Sequence, residues 1–500
     1  MSRCVVAEPT VVIGSDLMSL FVEASGDRNP LHTSVEYARA TSFGRPVVFG
    51  VLAALTVLSR LPVASRVRRV RMLFREVVHP NDPHRLTVMP EGTGHRGELW
   101  AHGRCVLTVS VRRDPVPAAD WPQPPTAPSP MRERPRELSL GEVEPDLEVS
   151  GRYGPTRLDE LIDRLALDRA DLPATATAAL CWASYLAGME VPGRQALLST
   201  VTVTPHEHTA VPEYRYRGKV TRVDPRFGLL RNQGWLWADD QPAAEVTQES
   251  FLRPAERVVT LSDVRAALPA TEVLAGQVAV VIGASRGLGA ATALAMAEQG
   301  CTVVGVYHTS TTRAAELARH DLIDMVRGDA ADDGFCRALA ERVRDQYGRT
   351  DILVCSAGPV VRPIRLSEET TEALTDHVTD ALRLVAVPIN AFAPLLDAGA
   401  SSLLVMSSQF LDRPGPDWPH HAAAKAAVEQ LVRAISPAHP RRRTLLARLP
   451  ELDTDLTTLL TTARQRASPA VAAAALLTAL SAPHTPGCRR LEFTSSAELA

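Results

Sequence analysis

The sequence predicts a multidomain protein in which two α+β units precede an α/β domain with a doubly wound parallel sheet. Three observations carry this expectation. First, FGVLAALTVLSRL, from Phe49 to Leu61, is a helix candidate apolar nearly all round, which marks it as buried. Strand-like runs follow it from Val70, Arg85 and Glu98, and their alternation suits a sheet with one solvated face. Second, the same order returns later, with TATAALCWASYLAGME ahead of strand-like runs. This is a repeat of pattern and not of identity, and two such units can pair their sheets within one chain. Third, VAVVIGAS, CTVVGVY, DILVCSAG and SSLLVMSS alternate with helical stretches, as in a parallel sheet covered on both faces.

The boundaries between these parts follow from composition. Asp114 to Glu137 holds many of the chain's 38 prolines. It suits neither helix nor sheet and is predicted to be extended and exposed. The reading is therefore a first unit over 1–113, a Pro-rich linker over 114–137 and a second unit over 138–256. A softer linker over 257–275, with a short helix near Ser262 to Ala267, leads to the α/β domain over 276–500.

Composition narrows the function. At 500 residues, 45% hydrophobic and 22% charged, the chain is ordinary for a globular protein of several domains. A net charge of −3 and 5% aromatics give no footprint for nucleic acid. Seven scattered cysteines, never in a C-x-x-C pair, fit reduced cytosolic thiols and neither a disulfide frame nor a metal site. No signal peptide is read at the N-terminus, and no stretch approaches the roughly 20 apolar residues of a membrane span. The expectation is a cytoplasmic protein with no membrane partner.

In the first unit, SGDRNPLHTSVEYARATSFGRPVVFG places Asp27, Asn29, Pro30 and His32 shortly before the apolar helix. A carboxylate and an imidazole on one loop can hold an oxygen and exchange two protons. The bland alternative is that Asp27, Asn29 and Pro30 only build a turn. Together with FGRPVVFG and FREVVHPND, the stretch resembles the MaoC-like and (R)-specific enoyl-thioester hydratases, a family of hotdog folds with a D-x-N-P-x-H motif. The resemblance covers most of the first unit. It implies that Asp27 and His32 jointly dehydrate a 3-hydroxyacyl thioester or hydrate an enoyl one, without a cofactor. Asn29 would shape the loop or orient one of the pair. Gly50, opening the buried helix, would offer its N–H to the thioester oxyanion. One departure is Phe49, where the family often has histidine. The second unit lacks the motif, and YLAGMEVPGRQALLSTVTV looks like a degenerate hotdog partner that lines the acyl groove, giving a double hotdog. Arg66, Arg68, Arg69, Arg71 and Arg75 suit the phosphates of coenzyme A or an acidic carrier protein, and equally a charged strand edge.

In the third part, VVIGASRGLGAATALAMAEQG sets Gly283, Gly287 and Gly289 between a strand and a helix. Glycines there let the backbone approach a pyrophosphate. The G-x-x-x-G-x-G spacing resembles the short-chain dehydrogenase/reductase family, a Rossmann-type fold, from Gln277 nearly to the C-terminus. The resemblance implies that Gly283, Ser285, Arg286, Gly287, Leu288, Gly289, Asp329, Ala330, Ala357, Gly358 and Lys425 hold the cofactor. The second strand ends in VYHTS without an acidic residue, and Arg286 sits in the glycine loop, so NADP(H) is expected over NAD. The family's catalytic serine and lysine match Ser408 and Lys425, but its tyrosine is His421, 13 residues after Ser408. Its asparagine is matched with Asp380. A neutral imidazole beside an ammonium is a weak acid, which puts the reduction step in question. The resemblance also implies homo-oligomers. Three readings remain: a fatty-acid or polyketide-type enzyme that reduces 3-ketoacyl thioesters and dehydrates the product, a dehydratase with an impaired nucleotide-binding domain, and a non-catalytic carrier-binding scaffold.

Overall fold

The computed structural model describes residues 10–41, 43–62, 67–115, 121–170, 172–206, 208–253, 258–361, 364, 366, 370–454, 466–483 and 487–493. Arg66, residues 116–120 of the Pro-rich stretch and residue 257 lie outside them. The chain divides into two compact units, one built on the segment up to residue 255 and the other on the segment from 256.

The first unit is built on a ten-stranded sheet. Its strands are β1 (Thr10–Val11), β2 (Arg69–Phe74), β3 (His84–Glu91), β4 (Gly94–Ala101), β5 (Arg104–Arg112), β6 (Glu148–Tyr153), β7 (Ala196–Pro205), β8 (Tyr214–Asp224), β9 (Leu229–Ala238) and β10 (Gln241–Leu252). The order β1-β3-β4-β5-β2-β7-β10-β9-β8-β6 reads the same from either end, with β2 facing β7 at the centre. The repeated sequence pattern thus becomes two halves of one antiparallel sheet. Register at the seam is Val70 with Val203 and Met72 with Val201, all buried. Arg69 and Arg71 alternate with them and point to the other face, as a period of two requires.

Each half carries one buried helix. In Gly50–Leu58 every side chain from Val51 onward is buried. Covering each of its larger aliphatic chains contributes roughly 1.5–3 kcal/mol. Its counterpart, Ala174–Tyr185, widens at its end into a buried π-type turn, Leu186–Glu190.

The Pro-rich stretch is extended but not simply exposed. The Trp121 ring packs edge-on against Trp237, and the Arg152 N–H donates to the Ser129 carbonyl. The Arg132 and Arg136 guanidinium groups reach the buried Glu190 carboxylate at 2.6 and 3.1 Å. Its prolines exclude regular structure, while its side chains and carbonyls still satisfy the second half of the sheet.

The second unit has seven parallel strands in the order β13-β12-β11-β14-β15-β16-β17: β11 (Val278–Ile282), β12 (Thr302–Tyr307), β13 (Ile323–Arg327), β14 (Ile352–Cys355), β15 (Ser401–Ser408), β16 (Arg442–Leu449) and β17 (Gly487–Glu492). The order reverses direction between β11 and β14, the crevice where such sheets bind ligands. β11 is buried throughout, as a central parallel strand must be. One expectation is corrected here. The helix Thr371–Asp397 is, by length and composition, apolar enough to cross a bilayer. It packs on β14 and β15, with Val385, Ile389, Phe392 and Leu396 buried in the core of this unit.

Candidate active sites

In the first unit, the loop from Ser25 to Thr33 is a local solution of its own residues. Asp27 Oδ1 accepts the Asn29 N–H at 3.0 Å, and Asn29 Oδ1 accepts the Leu31 N–H at 3.0 Å. Asn29 therefore caps the short helix Pro30–Thr33, with proline at its first position. The turn-building role of these residues is real. It coexists with a second one, because the loop is also clamped to the π-type turn. Asn29 Nδ2 donates to the carbonyls of Gly193 and Arg194, and Ser184 Oγ donates to Asp27 Oδ2 at 2.8 Å. A Cβ on Gly188 would overlap the Asp27 carboxylate, so only glycine leaves the space that this carboxylate fills.

Burial raises the Asp27 carboxyl to about 6, opposed by the donors from Ser184 and Asn29. His32 shifts the other way: burial pulls its imidazole down to about 4, although the Val47 carbonyl favours the charged ring. His32 Nδ1 lies 2.7 Å from the Val47 carbonyl oxygen and its ring stacks on Phe49 with centroids 4.0 Å apart. A neutral ring that donates from Nδ1 carries its lone pair on Nε2. Phe49, the departure from the family pattern, is thus the plate on which the imidazole lies. Gly50 starts the buried helix, and a Cβ there would lie 2.8 Å from the Phe74 ring. Among the described residues its N–H has no acceptor, as expected at a first helical position.

In the second unit, the glycine loop follows β11. Gly283 has φ +84°, and a Cβ there would lie 2.7 Å from the Ala357 nitrogen. A Cβ on Gly289 would overlap the Gly283 carbonyl. Beside Gly358 there is open space. Arg286 stands at the N-cap of the helix Gly287–Glu298, with Leu288 packed against the core. Ser285, Arg286 and Gly287 also line a cavity of about 500 Å³ with Arg313 and His320. Asp329 turns the chain after β13 by accepting the Ala331 N–H, and Ala330 is buried. These residues fit a nicotinamide dinucleotide: a bare backbone cradle at a helix N-terminus on the β11/β14 crevice.

At the far end of β15, Ser408 Oγ accepts the Phe410 N–H. Lys425 Nζ donates to the Met406 carbonyl at 3.0 Å, which docks the helix Pro419–Ile435 on that strand. Burial pulls the Lys425 ammonium down to about 8, against support from Glu429. His421, one turn before Lys425, falls to about 3, through burial first and then the Lys425 charge. Asp380 does not join this group. It is exposed on the helix Thr371–Asp397, and His377, close to one turn earlier, faces inward instead. The His377 ring lies 4.5 Å from His420 and 6.4 Å from His421.

Sequence reasoning missed Ser184, Gly188 and His377. The first two sit at i and i+4, Ser184 in the helix Ala174–Tyr185 and Gly188 in the π-type turn after it, on one side of the same stretch. It also missed Thr454, whose side chain covers Gly287.

Residues 2–100 match the family model described as MaoC like domain, and residues 283–443 the model described as enoyl-(acyl carrier protein) reductase. An uncharacterised oxidoreductase of Staphylococcus haemolyticus is 31% identical over 158 residues, 31% of this chain and 68% of the relative. The cis-4-hydroxycyclohexanecarboxylate dehydrogenase of Sinomonas cyclohexanicum is 33% identical over 170 residues, 33% of this chain and 68% of the relative. Among solved structures, the alcohol dehydrogenase of Thermococcus sibiricus complexed with 5-hydroxy-NADP is 25% identical, with a TM-score of 0.39, over 43% of this chain and 94% of that one. From the glycine loop onward the chain belongs to the short-chain dehydrogenase/reductase family, and a MaoC-like domain stands in front of that reductase domain.

Proposed function

We propose that this chain is an acyl-thioester dehydratase/hydratase of fatty-acid or polyketide type whose reductase domain binds NADP(H) but is impaired in hydride transfer. The observation that carries the reading is the pair of opposite shifts on one loop: a carboxyl raised to about 6 and an imidazole kept neutral. In dehydration, His32 Nε2 takes the C2 proton while Asp27 in its acid form protonates the departing C3 hydroxyl, which leaves as water. The proton then passes from the imidazolium back to the carboxylate. The Gly50 N–H, at the positive end of its helix, stabilises the enolate-like thioester oxygen. Hydration is the same path reversed. Arg69 and Arg71, with Arg231, line a recess of about 280 Å³ on the outer sheet face. In this reading it takes phosphates of coenzyme A or acidic groups of a carrier protein. Arg75 already donates to Thr108 and Cys105.

The bound dinucleotide would supply or accept hydride. Gly283, Gly287 and Gly289 make room for its pyrophosphate, and Arg286 attracts a 2′-phosphate. What stands at the family's tyrosine position is His421 in place of the phenol that would protonate the carbonyl oxygen. A neutral imidazole held near 3 by burial and Lys425 is a poor acid at neutral pH.

Mass analysis of a 3-ketoacyl and a 3-hydroxyacyl pantetheine thioester, each incubated with protein and NADPH near pH 7, tests both halves. The expected result is an enoyl product from the hydroxyacyl substrate and little change in the ketoacyl one. Prompt reduction of the ketoacyl substrate would restore the bifunctional reading. No product from the hydroxyacyl substrate would remove the dehydratase assignment.

A further inference from the structure

The core of the second half of the ten-stranded sheet contains polar side chains where its partner half is apolar. Gln248 and Ser250 on β10 and Asn232 on β9 are all buried, and their register sets them on the face beneath the helix. Gln248 lies opposite Asn232, and their other cross-strand partners, Val201 and Val220, belong to the core. Among the described residues, Gln248 Nε2 and Oε1, Ser250 Oγ and Asn232 Oδ1 have no hydrogen-bond partner. On β5, which holds the matching place in the other half, the inward residues are Leu107, Val109 and Val111. Burying an amide and a hydroxyl without partners forfeits the hydrogen bonds each would make in water. Such groups persist in a core when something else completes them.

The position of this cluster connects it to the dehydratase loop. Asn232 Nδ2 donates to the Val191 carbonyl at 2.9 Å, immediately after the π-type turn. The same turn carries Gly188 against Asp27, and Asn29 Nδ2 donates to its Gly188 carbonyl and to the Gly193 carbonyl just beyond it. One short stretch of backbone is therefore held by the dehydratase loop on one side and by Asn232 of the polar cluster on the other. On the dehydratase reading, an acyl chain with its C3 at Asp27 and His32 would continue past this turn. Resting on the dehydratase reading above, we propose that Asn232, Gln248 and Ser250 form a subsite for a hydroxyl or carbonyl group borne further along the acyl chain. The preferred substrates are then oxygenated 3-hydroxyacyl thioesters and not plain alkyl ones. The cluster offers both donors and acceptors, which suits a hydroxyl that gives one bond and takes another. A site built to bond such a group discriminates strongly against the analogue that lacks it, because its own polar atoms are then left bare.

The test compares two 3-hydroxyacyl pantetheine thioesters of equal chain length, one with an unsubstituted tail and one with a second hydroxyl distal to C3. Dehydration by the full chain is expected to favour the hydroxylated substrate by about tenfold or more in kcat/KM. Ser250→Ala and Gln248→Leu are expected to bring the ratio towards one, with the alkyl substrate turned over at least as well as before. Retained turnover of the alkyl substrate also reports that the variants fold. Equal or better use of the alkyl substrate by the native chain, with ratios unmoved in Ser250→Ala, would overturn the proposal and leave the cluster as a seat for ordered water. Turnover of neither substrate, in native chain and His32→Ala alike, would sink the dehydratase reading and this subsite with it.

Discussion

Two half-buried imidazoles, His32 and His421, are perturbed in the same direction and by the same main cause, yet the consequences are opposite. Burial holds His32 near 4 and His421 near 3, so both are neutral at physiological pH. For His32 this is an asset, because the role asked of it is to accept a proton, and a carboxyl near 6 stands on the same loop to give one. For His421 it is a defect, because the family position asks for a proton donor and Lys425 makes the imidazolium still harder to form. The comparison teaches that a shifted pKa has no functional sign of its own. The sign comes from which side of the proton transfer the group serves.

The comparison is most sharply tested by removing the working imidazole. His32→Ala is expected to lower dehydration by about 10²–10⁴-fold, read as enoyl formation, with NADPH binding unchanged. Nearly native dehydration in this variant would break the contrast. His421→Tyr tests the other side and is expected to raise reduction of a 3-ketoacyl thioester by about 10²-fold. If NADPH binds and reduction stays absent, the defect lies elsewhere in that domain.

Gly188→Ala examines the seat of the carboxylate. A methyl group there meets the Asp27 oxygens, and a displaced acid is expected to cost about tenfold in kcat while NADPH binding is retained. The smallest effect is a change in pH profile. With Asp27 as the acid, kcat/KM for dehydration declines as pH rises through about 6. Ser184 donates to the charged form and so lowers that value. Ser184→Ala is expected to move the declining limb to higher pH, and a shift to lower pH would contradict Asp27 as proton donor.

Much of this was readable from residues alone, for identifiable reasons. The glycine loop is legible because its steric demands are local: Gly283 and Gly289 are fixed by atoms close in sequence or in the adjoining strand. The Asp27–His32 loop is legible for the same reason, since Asn29 and Pro30 satisfy the backbone within four residues. Ser184 was not, because its meaning depends on a contact across 157 residues. The match of Asp380 failed because the helix Thr371–Asp397 gives no local landmark for its rotation. A displacement of three positions brings a different face to the site, and there His377 turns inward. The polar cluster around Gln248 lay in a strand whose alternation was visible, but period two does not say which face is covered.

The Arg132 and Arg136 contacts with Glu190 bear on how this chain can be cut or recombined. A fragment beginning at residue 138, where composition suggests a fresh start, would strip Glu190 of both guanidinium groups and leave, among the described residues, the Tyr185 and Tyr216 hydroxyls against it. A buried carboxylate deprived of its countercharge costs about 3–5 kcal/mol, a large part of the stability of a typical domain. The proline-rich stretch from Trp121 onward therefore travels with the half that follows it. A chimera that exchanges it for a neutral spacer would inherit an unpaired charge at the end of the turn that seats Asp27.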